Sequence, residues 1–373
     1  MRGLLLAGAL ISAPALAAVQ AGSKAPEAVA ADALADARRM VDAAAQPAAA
    51  WTGPRTGPPA QPGKQLAVVN EDLRNGGILG VNDGVLEAAR VVGWKVKVFD
   101  SGGTPEGRRK VLAEALDSRP DGLVVVGGDA RGLKPWLQPF ADRNIPIVGW
   151  HVAAKAGPVP GTPVAMNVST DPLDVARITA LAAIVQSGGR AGVVIFTDSS
   201  FELPQAKADA MAAVVRACRG CTLLETRDIA ISRNAELMPA ATSALLARHG
   251  PRWTHALAIN DIYFDYAAPV LTQAGLPSEG LSMLSAGDGS ESAFLRIRAG
   301  TFQTATVAEP LNLHGWQLVD ELNRLFAGER VTSYVYPVHL VTADNIAADG
   351  GDRLHFDPAN GYRDAYRRIW KRP

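Results

Sequence analysis

Short apolar runs alternate with segments of helical periodicity in the first half of the chain. The runs at 66–70, 96–99, 123–126 and 145–148 are almost wholly apolar, and the segments between them predict helices near 85–92, 107–118 and 133–142. Strands that are apolar on both faces are typical of a parallel sheet covered by helices on both sides. The pattern therefore predicts an α/β unit built on a parallel sheet.

A second series of the same kind follows an apolar run at 164–168. Its strands are predicted at 192–196, 222–224, 256–259, 283–286 and 304–307, and its helices at 175–185, 263–274 and 291–299. Two α/β units in sequence are therefore expected. In open parallel sheets, ligands bind beyond the carboxyl ends of the strands, so the polar residues that follow these strands are candidates for a site.

Three strands of the second series end in an amide or carboxylate. Asn260-Asp261, Asp288 and Glu309 follow consecutive apolar runs. Asp261 is interpreted as the N-cap of the next helix, whereas Asn260, Asp288 and Glu309 are predicted to converge on one site. Such groups accept or bridge neighbouring hydroxyls, which a sugar or polyol presents in pairs.

The first series adds two polar loops. Asp72 and Asn75 follow its first strand, and Trp150-His151 ends its fourth. A tryptophan face and a two-sided histidine ring suit a ligand with both CH and OH surface, although Trp150 could equally belong to the core. A dinucleotide-binding loop is disfavoured, because Asn75 stands where the first glycine of G-x-G-x-x-G is needed.

Composition, charge and the absence of catalytic motifs limit the classes of function that the sequence supports. Of 373 residues, 48% are hydrophobic and 20% charged, and 37 basic residues balance 37 acidic ones, so nucleic acid is not an expected partner. The sequence contains no G-x-S-x-G, H-E-x-x-H or Walker A spacing, and no catalytic residue, metal or cofactor is predicted. The enzymatic alternative is a carbohydrate-acting hydrolase with Asp288 and Glu309 as its carboxylate pair.

The N-terminus predicts export. Arg2, an apolar run at 4–16 and small residues up to Ala21 indicate a signal peptide over 1–21. The run is too short for a membrane anchor, which needs roughly 20 apolar residues, and no cysteine near the cleavage site could accept a lipid. We expect a soluble periplasmic protein without a lipid anchor. Residues 22–63 form an Ala/Pro-rich extension, either a helix packed on the body or a loose arm.

The only cysteines, Cys218 and Cys221, are spaced as C-x-x-C. A zinc site would require two more ligands, and the six histidines are scattered. A redox motif normally lies at the start of a helix, whereas this pair follows a helical pattern. The favoured interpretation is a local disulfide at a helix end.

Several short motifs together resemble a known family. They are the Leu73-Arg74-Asn75 loop, Pro120-Asp121-Gly122, the segment 144–148, Ile259-Asn260-Asp261, Gly287-Asp288-Gly289 and the segment 305–309. Over about 64–341 the chain resembles the type I periplasmic sugar-binding proteins, the ribose- and galactose-binding group, whose fold is shared by the effector domains of lactose-type repressors. No helix-turn-helix precedes this region, and the predicted signal peptide argues against a repressor.

The resemblance implies two Rossmann-like α/β lobes with parallel sheets, joined by a hinge of three chain crossings. The N-terminal lobe would comprise 64–168 plus 310–333, and the C-terminal lobe 169–309 plus 334–373. The resemblance also implies a monomeric solute receptor without enzymatic activity. The membrane permease of an ABC transporter would recognise the closed form of this receptor. A chemoreceptor or sensor kinase is the alternative partner.

The resemblance also assigns site residues by position. Asn75, Asn260 and Asp288 match ligand-contacting residues of the family, Glu309 stands where ribose binders carry Gln, and Lys207 stands where they carry Arg. Trp150-His151 replaces an Asp-Arg pair, and two stacking aromatics are missing at 77–78, so a sugar, polyol or amino sugar other than plain ribose is expected. Trp150, Phe201 or Tyr263 could supply the stacking surface instead.

Overall fold

The computed structural model describes residues 26–372. It contains two β-sheets, each flanked by helices. The predicted signal peptide, 1–21, lies outside the described residues. The strands are β1 Gln65–Asn70, β2 Lys95–Asp100, β3 Gly122–Val126, β4 Ile147–Trp150, β5 Val164–Val168, β6 Gly192–Thr197, β7 Thr222–Asp228, β8 His255–Ala258, β9 Ser282–Ser285, β10 Gln303–Ala308 and β11 His339–Thr342. The helices are α1 Pro26–Ala44, α2 Gly76–Val92, α3 Pro105–Asp117, α4 Lys134–Ala141, α5 Pro172–Gln186, α6 Glu202–Ala217, α7 Asn234–His249, α8 Ile262–Gln273, α9 Glu291–Ala299, α10 Leu311–Phe326 and α11 Tyr362–Trp370.

The N-terminal lobe is built on the five-stranded sheet, whose order is β2-β1-β3-β4-β5 and whose neighbouring strands are all parallel. Its central strand β3 is buried along its whole length. One face packs against α2 and α10, and the other against α3 and α4. The nearly all-apolar strands follow from this two-sided burial.

The C-terminal lobe is built on the six-stranded sheet, in the order β11-β10-β9-β8-β6-β7. Its strands are parallel except β11, which pairs antiparallel with β10. Helices α5 to α8 cover the sheet and contribute to a single apolar core.

Between about residues 64 and 341, the chain passes from one sheet to the other three times. It leaves β5 for α5, which packs on β9 and β10, and returns from β10 to α10, which packs on α2. It then runs through 327–338 to β11. The α/β architecture with two largely parallel sheets, expected from the sequence, is confirmed.

The end of the chain departs from the expected assignment of 334–373 to the C-terminal lobe. Strand β11 does lie there, but α11 packs on α10. Its Trp370 stacks on Trp316 of α10 with ring centroids 5.3 Å apart, and the Trp370 indole donates to Asp320 at 2.8 Å. The aromatic face of α11 needs an apolar surface, and α10 of the N-terminal lobe provides it.

The extension also contacts both lobes. Helix α1 packs on α5 of the C-terminal lobe, so its helical part is a packed element. Trp51 then packs against Tyr334, Tyr362 and Tyr366, with ring centroids 4.9 to 6.3 Å apart. This aromatic cluster belongs to the core of the N-terminal lobe.

Cys218 and Cys221 form a disulfide, with Cα atoms 5.3 Å apart. Cys218 is the C-cap residue of α6, which confirms the predicted local disulfide at a helix end. Within residues 26–372, no helix is both long and apolar enough to cross a membrane.

Candidate ligand-binding site

A cavity of about 350 Å³ lies between the two sheets, at the carboxyl ends of their strands. Both lobes contribute to its wall. Eight of the nine binding residues predicted from the sequence line it: Asp72, Asn75, Trp150, His151, Phe201, Lys207, Asn260 and Asp288. The ninth, Glu309, lies behind His151 and contacts it rather than the cavity.

His151 occupies the centre of the polar part of the site. Its left-handed backbone, with φ 53°, turns the chain sharply after β4. The imidazole stacks on the indole of Trp150, with centroids 3.6 Å apart and planes 12° from parallel. Its Nε2 lies 2.9 Å from Oε1 of Glu309, and its Nδ1 lies 3.9 Å from Oδ1 of Asp288. One ring of the N-terminal lobe thus lies between two carboxylates.

Glu309 is a buried carboxylate held by positive and polar neighbours. Besides His151, its Oε1 lies 4.0 Å from Nζ of Lys207, and its Oε2 accepts from the backbone N–H of Thr170 at 3.3 Å. Burial by itself would raise the pKa of Glu309, but the charges of His151 and Lys207 outweigh it and lower the pKa. Glu309 is therefore ionised at neutral pH.

Asp288 is equally buried but less well compensated. Burial raises its pKa, against the opposing effect of His151 and Lys207. Its Oδ2 accepts a hydrogen bond from Nδ2 of Asn260. The same carboxylate lies against Gly77, in the first turn of α2 on the opposite lobe.

Asp261 does not have the predicted role. It occupies the N-cap position of α8, but its side chain makes no capping hydrogen bond, and Oδ1 of Asn260 accepts from the N–H of Ile262 instead. The Oδ2 of Asp261 accepts the backbone N–H groups of Asp288, Gly289 and Ser290 at 2.8 to 3.0 Å. Asp261 thus holds the loop that carries Asp288, because this loop and the start of α8 meet at the same sheet edge.

Lys207 and Trp150 connect the site to the surrounding core. The Nζ of Lys207 donates to the carbonyl of Ala286 at 2.7 Å, and the side chain is fully buried. Trp150 is 1% exposed, and its Nε1 donates to Nδ1 of His314 at 3.1 Å. Burial lowers the pKa of His314 to about 4, so that ring is neutral and able to accept. Trp150 is therefore both a core residue and part of the cavity wall.

The two other aromatic candidates differ. Phe201 lines the cavity, and the guanidinium of Arg108 lies 5.2 Å from its ring centroid. Tyr263 is fully buried in the C-terminal lobe, and its hydroxyl donates to the carbonyl of Ile229. Tyr263 is consequently excluded as a stacking surface for a ligand.

His151, Asp288 and Glu309 also have the residue types of a metal site, with donor atoms within 4.8 Å of one another. Their geometry does not favour one. The two carboxylates face different nitrogens of the same ring, so a single ion could not take both with that histidine. The ammonium of Lys207, 4.0 Å from Glu309, adds a repelling charge.

Sequence reasoning missed the residues on the solvent side of the cavity, which include Pro105, Arg108, Asp198, Leu203 and Ile231. Asp198 directly follows β6, so the strand-end rule could have found it. The others come from helices or from the loop after β7, and no local pattern singles them out.

The lobes also meet around the cavity. Arg131 forms an ion pair with Glu202 at 3.7 Å, across the cleft. A β-carbon on Gly103 would lie 2.8 Å from Cβ of Ser232. The lobes are therefore in a closed arrangement, and the cavity is enclosed between them.

An enclosed cavity lined by polar and apolar residues, between two largely parallel sheets joined by crossing segments, defines a two-lobed small-molecule-binding protein. The family model of the periplasmic binding protein domain matches residues 66–330. The chain belongs to this family. No curated protein matches the chain significantly.

Solved structures show the same fold. An ABC transporter solute-binding protein from Agrobacterium vitis with bound allitol is 18% identical, with a TM-score of 0.65, covering 77% of this chain and 97% of its own. Another from the same organism, bound with α-D-tagatopyranose, is 16% identical with a TM-score of 0.70, covering 79% and 99%. The 5-methylthioribose transporter solute-binding protein from Thermotoga lettingae is 18% identical with a TM-score of 0.67, covering 77% and 89%.

Proposed function

We propose that this protein is the periplasmic substrate-binding component of an ABC importer and captures a sugar, polyol or amino sugar. The observation that carries the proposal is the meeting of His151 from the N-terminal lobe with Asp288 and Glu309 beside one enclosed cavity. His151 and Asp288, which line the cavity, provide donors and acceptors for neighbouring hydroxyls. The ligands named for the similar solute-binding proteins, allitol and α-D-tagatopyranose, belong to the same chemical class.

Binding would work by hinge closure. A ligand that touches both lobes favours the closed arrangement only through the contacts that exist in that arrangement. Asn75 and His151 would contact it from one lobe, and Lys207, Asn260 and Asp288 from the other. Glu309 would act through His151, which it orients. The membrane permease, or alternatively a chemoreceptor, would then recognise the closed monomer.

The hydrolase alternative is not supported by the site. Glycosidases place two carboxyl groups about 5 to 10 Å apart, on either side of the glycosidic bond that they cleave. Here the imidazole of His151 lies between Asp288 and Glu309, and Glu309 does not face the cavity. No bond of a substrate could lie between the two carboxylates, so we propose that the protein has no catalytic activity.

A thermal-shift screen of the chain without its signal peptide tests this proposal. Sugars, polyols and amino sugars are added at saturating concentration, and a true ligand raises the melting temperature by mass action, since 100 times Kd corresponds to about 2.7 kcal/mol. The expected result is a concentration-dependent rise for a subset of these solutes. Hydrolysis of a glycoside without any such rise would favour the enzyme instead.

A further inference from the structure

The polar groups at the inner end of the cavity are incompletely satisfied. His151 and Asp288 both line the cavity and are buried, and Nδ1 of His151 lies 3.9 Å from Oδ1 of Asp288, beyond hydrogen-bond distance. Buried polar atoms without partners are costly, so this end of the cavity favours a ligand rich in hydroxyl or amino groups.

The solvent side of the cavity is the part lined by Pro105, Arg108, Ser200 and Ile231, which are exposed or partly buried. The neighbouring carboxylates of Glu71 and Asp72 are paired with arginines. Both carboxylate oxygens of Glu71 accept from Nε of Arg108 at 2.8 Å. Asp72 accepts from the guanidinium of Arg74 at 2.6 and 2.9 Å.

Asp198, which is buried and also lines the cavity, is bonded to the backbone. It accepts the N–H groups of Ser200 and Ile231, each at 2.9 Å. Together with the two arginine pairs, this gives every carboxylate oxygen of Glu71, Asp72 and Asp198 a protein donor. Their remaining lone pairs, with the hydroxyls of Ser200 and Ser232, are the polar groups that this part of the cavity still offers.

Apolar surface fills the space between these pairs. It comes from both lobes, namely from Pro105, Phe201, Leu203, Pro204, Ala230 and Ile231. The ring of Phe201 is held by Arg108, whose orientation is in turn fixed by Glu71. A ligand hydroxyl placed against these apolar side chains would lose water without gaining a partner, which is unfavourable.

We propose that the ligand is amphipathic: a sugar or polyol head bound at His151 and Asp288, carrying an alkyl or aryl substituent that lies against the apolar surface around Ile231. This inference rests on the proposed function and refines its substrate class. It predicts the orientation of the ligand as well, with the hydroxylated end inward and the substituent toward solvent.

Calorimetric titration of matched pairs tests the inference. D-Galactose and D-ribose are compared with their methyl and phenyl β-glycosides on the chain without its signal peptide. At least one phenyl glycoside is expected to bind about tenfold or more tightly than its parent sugar, from the added apolar burial. If the parents bind as tightly as their glycosides, the inference is wrong and the proposed function stands. If none of these compounds binds while an unsubstituted solute raises the melting temperature in the thermal-shift screen, the inference is wrong and the proposed function stands. If no solute raises it, the proposed function fails, and this inference with it.

A substitution at Ile231 tests where the substituent of the ligand binds. Ile231→Ser is expected to weaken binding of the phenyl glycoside about tenfold while changing that of the parent sugar less than about twofold. Ile231 is only partly buried, so the fold should tolerate the change. Leu295→Ser is the matched control, because Leu295 is 50% exposed and does not line the cavity. Equal losses for glycoside and parent in Ile231→Ser would contradict the assignment of the substituent to this surface.

Discussion

Gly77 and Asp288 come from opposite lobes and touch across the cleft. A β-carbon on Gly77 would lie 2.6 Å from Cγ of Asp288, closer than side-chain atoms approach. Asp288 has little freedom to move away, since Asn260 holds its carboxylate and Asp261 holds its backbone. The closed arrangement therefore requires a glycine at this position.

Gly77→Ala is expected to oppose closure without unfolding either lobe. Alanine in the first turn of α2 should leave stability unchanged or raise it, because alanine favours a helix over glycine by about 1 kcal/mol. The measurement is small-angle X-ray scattering, in which the variant should have the larger radius of gyration. Gly132→Ala is the control, since a β-carbon there meets nothing closer than 3.7 Å. Identical scattering of the two variants would show that the contact does not limit closure.

Asp288→Asn separates binding from stability. The substitution keeps the shape and removes a charge whose burial is unfavourable, as the raised pKa of Asp288 indicates. We expect affinity for the solute found by screening to fall about 10- to 100-fold, with an unchanged or increased free energy of unfolding at pH 7. Calorimetry and urea denaturation measure the two quantities. The exposed Asp344→Asn serves as a control, and undiminished affinity of Asp288→Asn would remove this residue from the site.

Asp261→Ala should destabilise the C-terminal lobe. It deprives three backbone N–H groups of their buried acceptor, as well as the side chains of Ser285 and Gln303. A loss of about 3 kcal/mol in the free energy of unfolding is expected by urea denaturation. Asp171→Ala is the comparison, because Asp171 accepts two N–H groups at the exposed start of α5, and its loss should cost about 1 kcal/mol. Equal losses would contradict a special role for Asp261.

Glu321 predicts a pH dependence of stability. Burial raises the pKa of Glu321 to about 7, despite hydrogen bonds from Thr332. The folded state therefore retains a proton that the unfolded chain has lost between about pH 4.5 and 7, so stability falls as pH rises through this window. Glu321→Gln removes the effect. The measured quantity is the free energy of unfolding of Glu321→Gln minus that of the unsubstituted protein. This difference should increase by up to about 3 kcal/mol from pH 4 to pH 8. A difference that stays constant with pH would contradict the prediction.

Much of the fold was predictable because most strands are buried on both faces. In strand β3, for example, the unbroken apolar sequence of Gly122–Val126 corresponds to burial at every position. Helix α11 was not predicted, because its apolar face is mainly aromatic and interrupted by arginines. Helix α7 was not predicted either, and only five of its sixteen residues, Asn234, Met238, Ala241, Thr242 and Leu245, are buried, two of them polar.

The residues of the site also divide into those that the sequence predicts and those that it does not. Asn260 and Asp288 follow strands whose carboxyl ends lie at the same edge of one sheet, so their convergence follows from topology. Arg108 and Leu203 face the cavity only because of how α3 and α6 pack, which no local pattern records. The role of Asp261 depended on the path of a loop 27 residues further along the chain.

The N-terminal connector has a mechanical consequence for lobe motion. Ala44 at the end of α1 belongs to the core of the C-terminal lobe, and Trp51 belongs to that of the N-terminal lobe. The chain from Ala44 to Trp51 can span at most about 24 Å when fully stretched. Any rotation that opens the cleft is therefore bounded by a tether outside the hinge, unless the tryptophan first leaves its aromatic neighbours.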